Sequence, residues 1–76
     1  MGWNSVNLDI KFLMEEDGRW LAIIESLPGV MAYGQTQEEA AFHVKKVAIQ
    51  AIAFMMEEGE LTELNTIVFK VPVIAV

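Results

Sequence analysis

The stretch VNLDIKFLMEEDGRWLAIIE, residues 6–25, decides the fold. Its first half alternates, with Val6, Leu8, Ile10, Phe12 and Met14 on one side and Asn7, Asp9 and Lys11 on the other. Period two with β-branched and aromatic residues is the pattern of a half-buried strand. Asp17-Gly18 then separates two apolar runs. This is a hairpin signal, because Gly tolerates the positive φ that such turns require. The segment from Arg19 to Glu25 reads as the return strand, with Trp20, Ala22 and Ile24 on one face and Leu21 and Ile23 on the other. Being apolar on both faces, it belongs in the middle of a sheet or under a cover. A hairpin centred on Asp17-Gly18 sets Lys11 opposite Ile24 and Asp9 opposite Ser26.

Beyond the hairpin, Pro28-Gly29 predicts a type II turn with Gly at its third position. Val30 to Gln35 follows as a short strand carrying Met31 and Tyr33, and Gly34 near its end permits close backbone approach or a bend. Thr36-Gln37-Glu38-Glu39 is a capping box, in which the Thr36 hydroxyl accepts from the amide three residues on and Glu39 reaches back to the cap. The helix it opens runs from about Gln37 to Glu58 and stops at Gly59. Ala40, Val44, Val47, Ala48, Ala51, Ile52 and Met55 form a wide apolar stripe suited to lie on a sheet. A polar connection, Thr62 to Thr66, leads to a last strand from Ile67 to Val76, which Pro72 assigns to an edge or a bulge. The expected fold is a two-layer α+β domain of order β-β-β-α-β, an antiparallel sheet with one long helix packed on one face.

Seventy-six residues make a single domain, 1–76, and no repeat or linker interrupts it. Five Lys and Arg stand against eleven Asp and Glu, a formal net charge of −6. Direct nucleic-acid binding is therefore disfavoured, since displacing phosphate counterions needs basic side chains. With no Cys and one His, there is no disulfide framework, no thiolate nucleophile and no His- or Cys-based metal site. No apolar run reaches the roughly 20 residues of a membrane span. The N-terminus lacks a basic region followed by an apolar core, and Val6 breaks the myristoylation pattern that Met1-Gly2 begins. A cytoplasmic protein with no membrane partner is expected.

The chain is 54% hydrophobic. A folded monomer of its size exposes on the order of 4,600 Å². Ordering it costs about 1.5 kcal/mol per residue, which one small core barely offsets. Self-association or a partner protein is the expected remedy.

The ordered set Asp17-Gly18, then Leu27-Pro28-Gly29, then Gly34-Gln35-Thr36-Gln37-Glu38-Glu39-Ala40 resembles the HicB-like antitoxin family. That family shows an acidic-Gly turn, an apolar strand, a Leu-Pro-Gly turn, a short strand, and Gly-x-Thr-x-Glu-Glu-Ala opening a long helix. With its flanking strand and helix, the resemblance covers roughly residues 6 to 58. It implies a partial ribonuclease H-like fold and an antitoxin that neutralises a small messenger-RNA-cleaving toxin of the HicA type. Many relatives add a C-terminal helix-turn-helix or ribbon-helix-helix region that binds DNA. No such region is read in these residues, so operator binding is not expected of them.

Catalytic candidates are few. Asp9, Asp17 and Glu25 are the carboxylates that a two-metal nuclease would recruit, but carboxylates on a solvated strand face and in a turn need no such role. His43, the one conventional general base, falls on the flank of the helix with no Cys or Ser partner and no orienting carboxylate in view. A protein without catalytic residues, cofactor or metal is expected. Interface candidates are stronger. Phe42, Ile49, Ala53 and Met56 form a second stripe opposite the sheet-facing one, flanked by Lys45 and Lys46. Leu13, Leu21 and Ile23 share the sheet face away from the helix, with Val68, Ile74 and Val76 on the second face of the last strand. A homodimer or a dimer of dimers is expected, since a standard interface removes about 800 Å² per partner. The acids Glu15, Glu16, Asp17, Glu38, Glu39, Glu57, Glu58, Glu60 and Glu63 suit charge complementarity with a small basic toxin. Two other readings stay open: a stand-alone oligomeric module with no toxin, and a minimal metal-dependent nuclease.

Overall fold

The computed structural model describes residues 5–61 and 64–72. The chain folds in the order β1 (Ser5–Asp9), β2 (Lys11–Met14), β3 (Trp20–Ile23), β4 (Met31–Gly34), α1 (Gln37–Glu57) and β5 (Thr66–Lys70). β1 and β2 are two halves of the one long strand read from the sequence. They meet at Ile10, whose N–H donates to the Lys70 carbonyl at 2.9 Å. The first half pairs with β5, and the second half pairs with β3 on its other edge. The strands thus form a two-stranded sheet, β1–β5, and a three-stranded sheet, β2–β3–β4, in place of the single sheet expected; the two are joined through Ile10, which sets the spatial order β5, then β1–β2, then β3, then β4.

Two further details depart from expectation. β5 runs parallel to β1, with Ser5 level with Thr66 and Asp9 with Lys70, so only β2, β3 and β4 form an antiparallel set. Direction explains it: the long helix carries the chain back to the end from which β1 and β4 both start. The first hairpin also closes through a loop one residue longer than expected, three residues in place of the two of a hairpin centred on Asp17-Gly18. Glu15 N–H donates to the Arg19 carbonyl at 2.8 Å and Gly18 N–H to the Glu15 carbonyl at 3.0 Å. Glu16, Asp17 and Gly18 thus form a three-residue loop, a turn followed by Gly18 at φ 88°. Lys11 consequently pairs with Ile23, not Ile24, and Leu13 with Leu21.

The other punctuation follows the sequence. Val30 N–H donates to the Leu27 carbonyl at 3.1 Å across Pro28-Gly29, and Gly29 has φ 80°. Thr36 caps α1, its hydroxyl accepting from Glu39 N–H at 3.0 Å. The Glu39 carboxylate reaches one residue further back than a capping box requires, accepting from Gln35 N–H at 2.7 Å. At the far end Gly59 N–H donates to Met56 and Glu60 N–H to Met55, a Schellman closure.

The core lies between helix and sheet. Leu8, Ile10, Ala22, Ile24 and Val30 meet Ala40, Ala41, Val44, Ala48 and Ile52. Phe12 and Trp20 close one side, edge to face with centroids 6.5 Å apart. Gly34 is the tightest point: a Cβ built there would lie 2.3 Å from the Ala40 backbone nitrogen. The helix start therefore rests directly on the strand, as only a residue without a side chain allows.

Candidate functional site: an apolar sheet face with acidic ends

Strand alternation sends the odd-numbered residues of β1 to β4 to the face away from the helix. Two cross-strand rows occupy its centre. Lys11, Ile23 and Met31 are in register, and so are Leu13, Leu21 and Tyr33. The sequence-predicted trio Leu13, Leu21 and Ile23 is thus brought together on one face. The three are unequally available: Leu13 is 52% exposed, Ile23 is half-buried, and Leu21 is buried between Leu13 and Tyr33. Leu21 is therefore a support for the face, not a contact on it. Met31 and Tyr33, exposed beside them, complete the apolar surface.

Charge brackets this surface at both ends. At one end Asp9 and Glu25 follow the Lys11 row, and Glu25 binds Lys11 at 2.9 Å. At the other end stand Glu15, Glu16 and Asp17. Arg19 donates to Asp17 through its backbone N–H at 3.0 Å and its Nε at 2.7 Å. The backbone hydrogen bond first, then the guanidinium, hold the Asp17 carboxyl below the ordinary aspartate value. The same guanidinium lies 4.1 Å above the Tyr33 ring, and Tyr33 Oη donates weakly to Glu15 at 3.4 Å. Both cations of the face are thus engaged by carboxylates. Asp9, Glu15 and Glu16 make no ion pair among the described residues.

The helix presents a second apolar surface. Phe42, Ile49, Ala53 and Met56 are all exposed along its outer side, and Lys46 Nζ sits 5.5 Å from the Phe42 ring centroid. Val68 is exposed on β5. Ile74 and Val76 lie outside the described residues.

Asp9 and Glu25 line one pocket with Asn7, Lys11 and Ser26, but the third carboxylate candidate does not join them. Asp17 and Glu25 are engaged at opposite ends of the sheet face, and among the described residues no three His, Asp or Glu side chains are grouped to hold a metal ion. His43 bonds through Nδ1 to the Tyr33 carbonyl at 2.9 Å. That oxygen only accepts, so Nδ1 carries the proton. Sequence periodicity placed His43 on the helix flank but gave no sign of this link to β4. Phe54, 57% exposed on the same flank, was also missed, since it belongs to neither apolar stripe. No helix among the described residues is long and apolar enough to cross a membrane. Comparison with family models, with curated proteins and with solved structures gives no match.

Proposed function

We propose that this chain is a non-catalytic, HicB-like antitoxin that binds a small, basic, RNA-cleaving toxin of the HicA type and blocks it by protein–protein contact. One observation carries the reading: an exposed apolar sheet face with five carboxylates, Asp9, Glu15, Glu16, Asp17 and Glu25, against two cations at its ends. A protein that cleaves RNA needs a basic surface for its substrate. The acidic ends would attract that surface and speed encounter, and the apolar centre would hold it once water is excluded. The resemblance in the Asp17 to Ala40 segment supports the same conclusion, and its Asp-Gly, Leu-Pro-Gly and Gly-x-Thr-x-Glu-Glu elements serve here as hairpin, turn and helix start.

The test is co-expression of a tagged chain with the reading frames beside its gene. The expected result is a small basic protein that co-purifies, cleaves RNA alone and stops doing so in the complex. Met31→Glu and Leu13→Glu should each weaken capture at least tenfold. A neighbourhood that yields no small basic partner and no relieved toxicity would remove the reading. The alternative, a stand-alone oligomeric module, draws on the exposed helix stripe at Phe42, Ile49, Ala53 and Met56.

A further inference from the structure

The sheet face away from the helix divides along its width. Over β2, β3 and β4 its centre is apolar, with Leu13, Met31 and Tyr33 52%, 47% and 41% exposed beside half-buried Ile23. Over β1 and β5 the same face carries Asn7, Thr66 and Lys70 around one apolar side chain, Val68. Strands lie about 4.8 Å apart, so the apolar floor, three strands across, is about 10 Å wide. One α-helix with its side chains has a diameter of about 10–12 Å.

A pocket stands at each end of this floor, and acids line both. Asn7, Asp9, Lys11, Glu25 and Ser26 line the first, and Glu15, Glu16 and Asp17 the second. Lys11 is held by Glu25 and Arg19 by Asp17, so each pocket keeps a carboxylate in excess, Asp9 in the first and Glu15 and Glu16 in the second. Asp9 and Glu15 lie on one extended run of chain and on the same side of it. At about 3.3 Å per residue their Cα atoms stand about 20 Å apart.

From these features we infer that the element docking on this face is a basic amphipathic helix of the partner, laid along β2, β3 and β4 with one cationic side chain in each acid-lined pocket. The inference rests on the proposed reading of this face as the toxin's site, and adds which part of the partner fills it. An extended segment is a poor occupant. Laid on the broad side of the sheet, it would bury backbone N–H and C=O groups that a sheet bonded in its own plane cannot satisfy. A helix brings its backbone bonds with it. A second sheet would reach past the floor to Lys70, which repels a basic partner. At about 1.5 Å per residue, the span of about 20 Å is about 14 helical residues, four turns that return near the starting side. The partner helix therefore carries Arg or Lys at about that spacing, with apolar residues every three or four positions between them. The three exposed floor side chains offer on the order of 300 Å², taking about 200 Å² for each when fully exposed. This is under half of the ~800 Å² of a standard contact, so the isolated helix binds weakly and owes much of its affinity to the charged ends.

Two synthetic helical peptides of about 20 residues test it, both with a leucine stripe, one with two Arg about 14 residues apart and the other with them about 7 apart. Each is titrated into the full chain, with labelled methyl groups followed by NMR. The first peptide should shift the methyl signals of Leu13, Ile23 and Met31 and leave those of Ile49 and Met56 in place. Asp9→Asn and Glu15→Gln, both at exposed positions, should keep the circular dichroism of the parent and each weaken binding about threefold, as loss of an exposed charge pair does. The second peptide reaches only one pocket and should bind about threefold more weakly than the first. No binding of the first peptide, equal binding of the two, shifts at Ile49 and Met56 in place of the floor, or indifference to both variants would each overturn the inference. Failure of the antitoxin reading looks different. A peptide that binds as described while co-expression yields no toxin removes the toxin and leaves the helix site, whereas a captured toxin that covers Leu13 and Met31 with a strand or a loop keeps the antitoxin and overturns the helix.

Discussion

Replacing Gly34 by Ala tests the contact on which the two layers depend. The new methyl carbon would stand 2.3 Å from Ala40 N and 2.8 Å from Ala40 Cα, where ordinary contact begins at 3.4 Å. The first turn of α1 must retreat by about 1 Å, and a gap of that size forfeits a quarter to a half of each dispersion contact it opens. Ala40, Ala41 and Val44 are the buried residues of that part of the helix. The obstacle is backbone, which cannot rotate aside, so the cost belongs at the top of the overpacking range, about 3 kcal/mol. Gly34 is not one of the positive-φ glycines, so Ala also recovers about 0.5–1 kcal/mol of strand preference. The net loss is about 2 kcal/mol, against a total stability of roughly 4–11 kcal/mol for a chain of this length. At 4–8 °C per kcal/mol, the melting temperature should fall by about 8–16 °C. Thermal and urea unfolding followed by circular dichroism measure it. The double variant Gly34→Ala with Ala40→Gly should recover nothing, because the obstructing atoms remain. Gly59→Ala is the contrasting control. It has open space but φ +79°, and should lose only about 1 kcal/mol. A Gly34→Ala chain that melts with the parent would refute the close approach.

Four further outcomes follow from the same coordinates. Ile24→Ala empties a fully buried core position and should cost 2–5 kcal/mol in urea unfolding, roughly the range for such truncations. Thr36→Ala removes the acceptor for Glu39 N–H and should cost about 1 kcal/mol, read as a lower urea midpoint with an unchanged slope. Asp17 has a depressed folded-state pKa. Its contribution to stability is therefore complete above the unfolded aspartate value near 4, and is lost as the pH falls through the folded value. Asp17→Asn should lower stability slightly at neutral pH, where that contribution is present, and converge on the parent below the folded value, so that the acid limb flattens; an unchanged acid limb would contradict the Arg19 bonds. Met31→Gln, on the exposed face, should stay within about 0.5 kcal/mol of the parent. A larger loss in dilute protein would mean that the residue is structural.

The hairpin shows what the sequence made legible and what it did not. Asp17-Gly18 signals a turn, but Gly18 at positive φ serves a two-residue or a three-residue loop equally well. The apolar alternation discriminates between them. Pairing Lys11 with Ile24 sets a charged residue beside a core side chain, whereas the observed pairing with Ile23 keeps Phe12, Ala22 and Ile24 together under the helix. The pattern was the stronger signal, and it had already placed Leu13, Leu21 and Ile23 on a common face. The helix was readable at both ends because caps are local chemistry. The parallel placement of β5 and the bond from His43 to Tyr33 were not, since both depend on how distant elements lie in space. Burial of Leu21 escaped for the same reason: its flanking neighbours, Leu13 and Tyr33, come from two other strands.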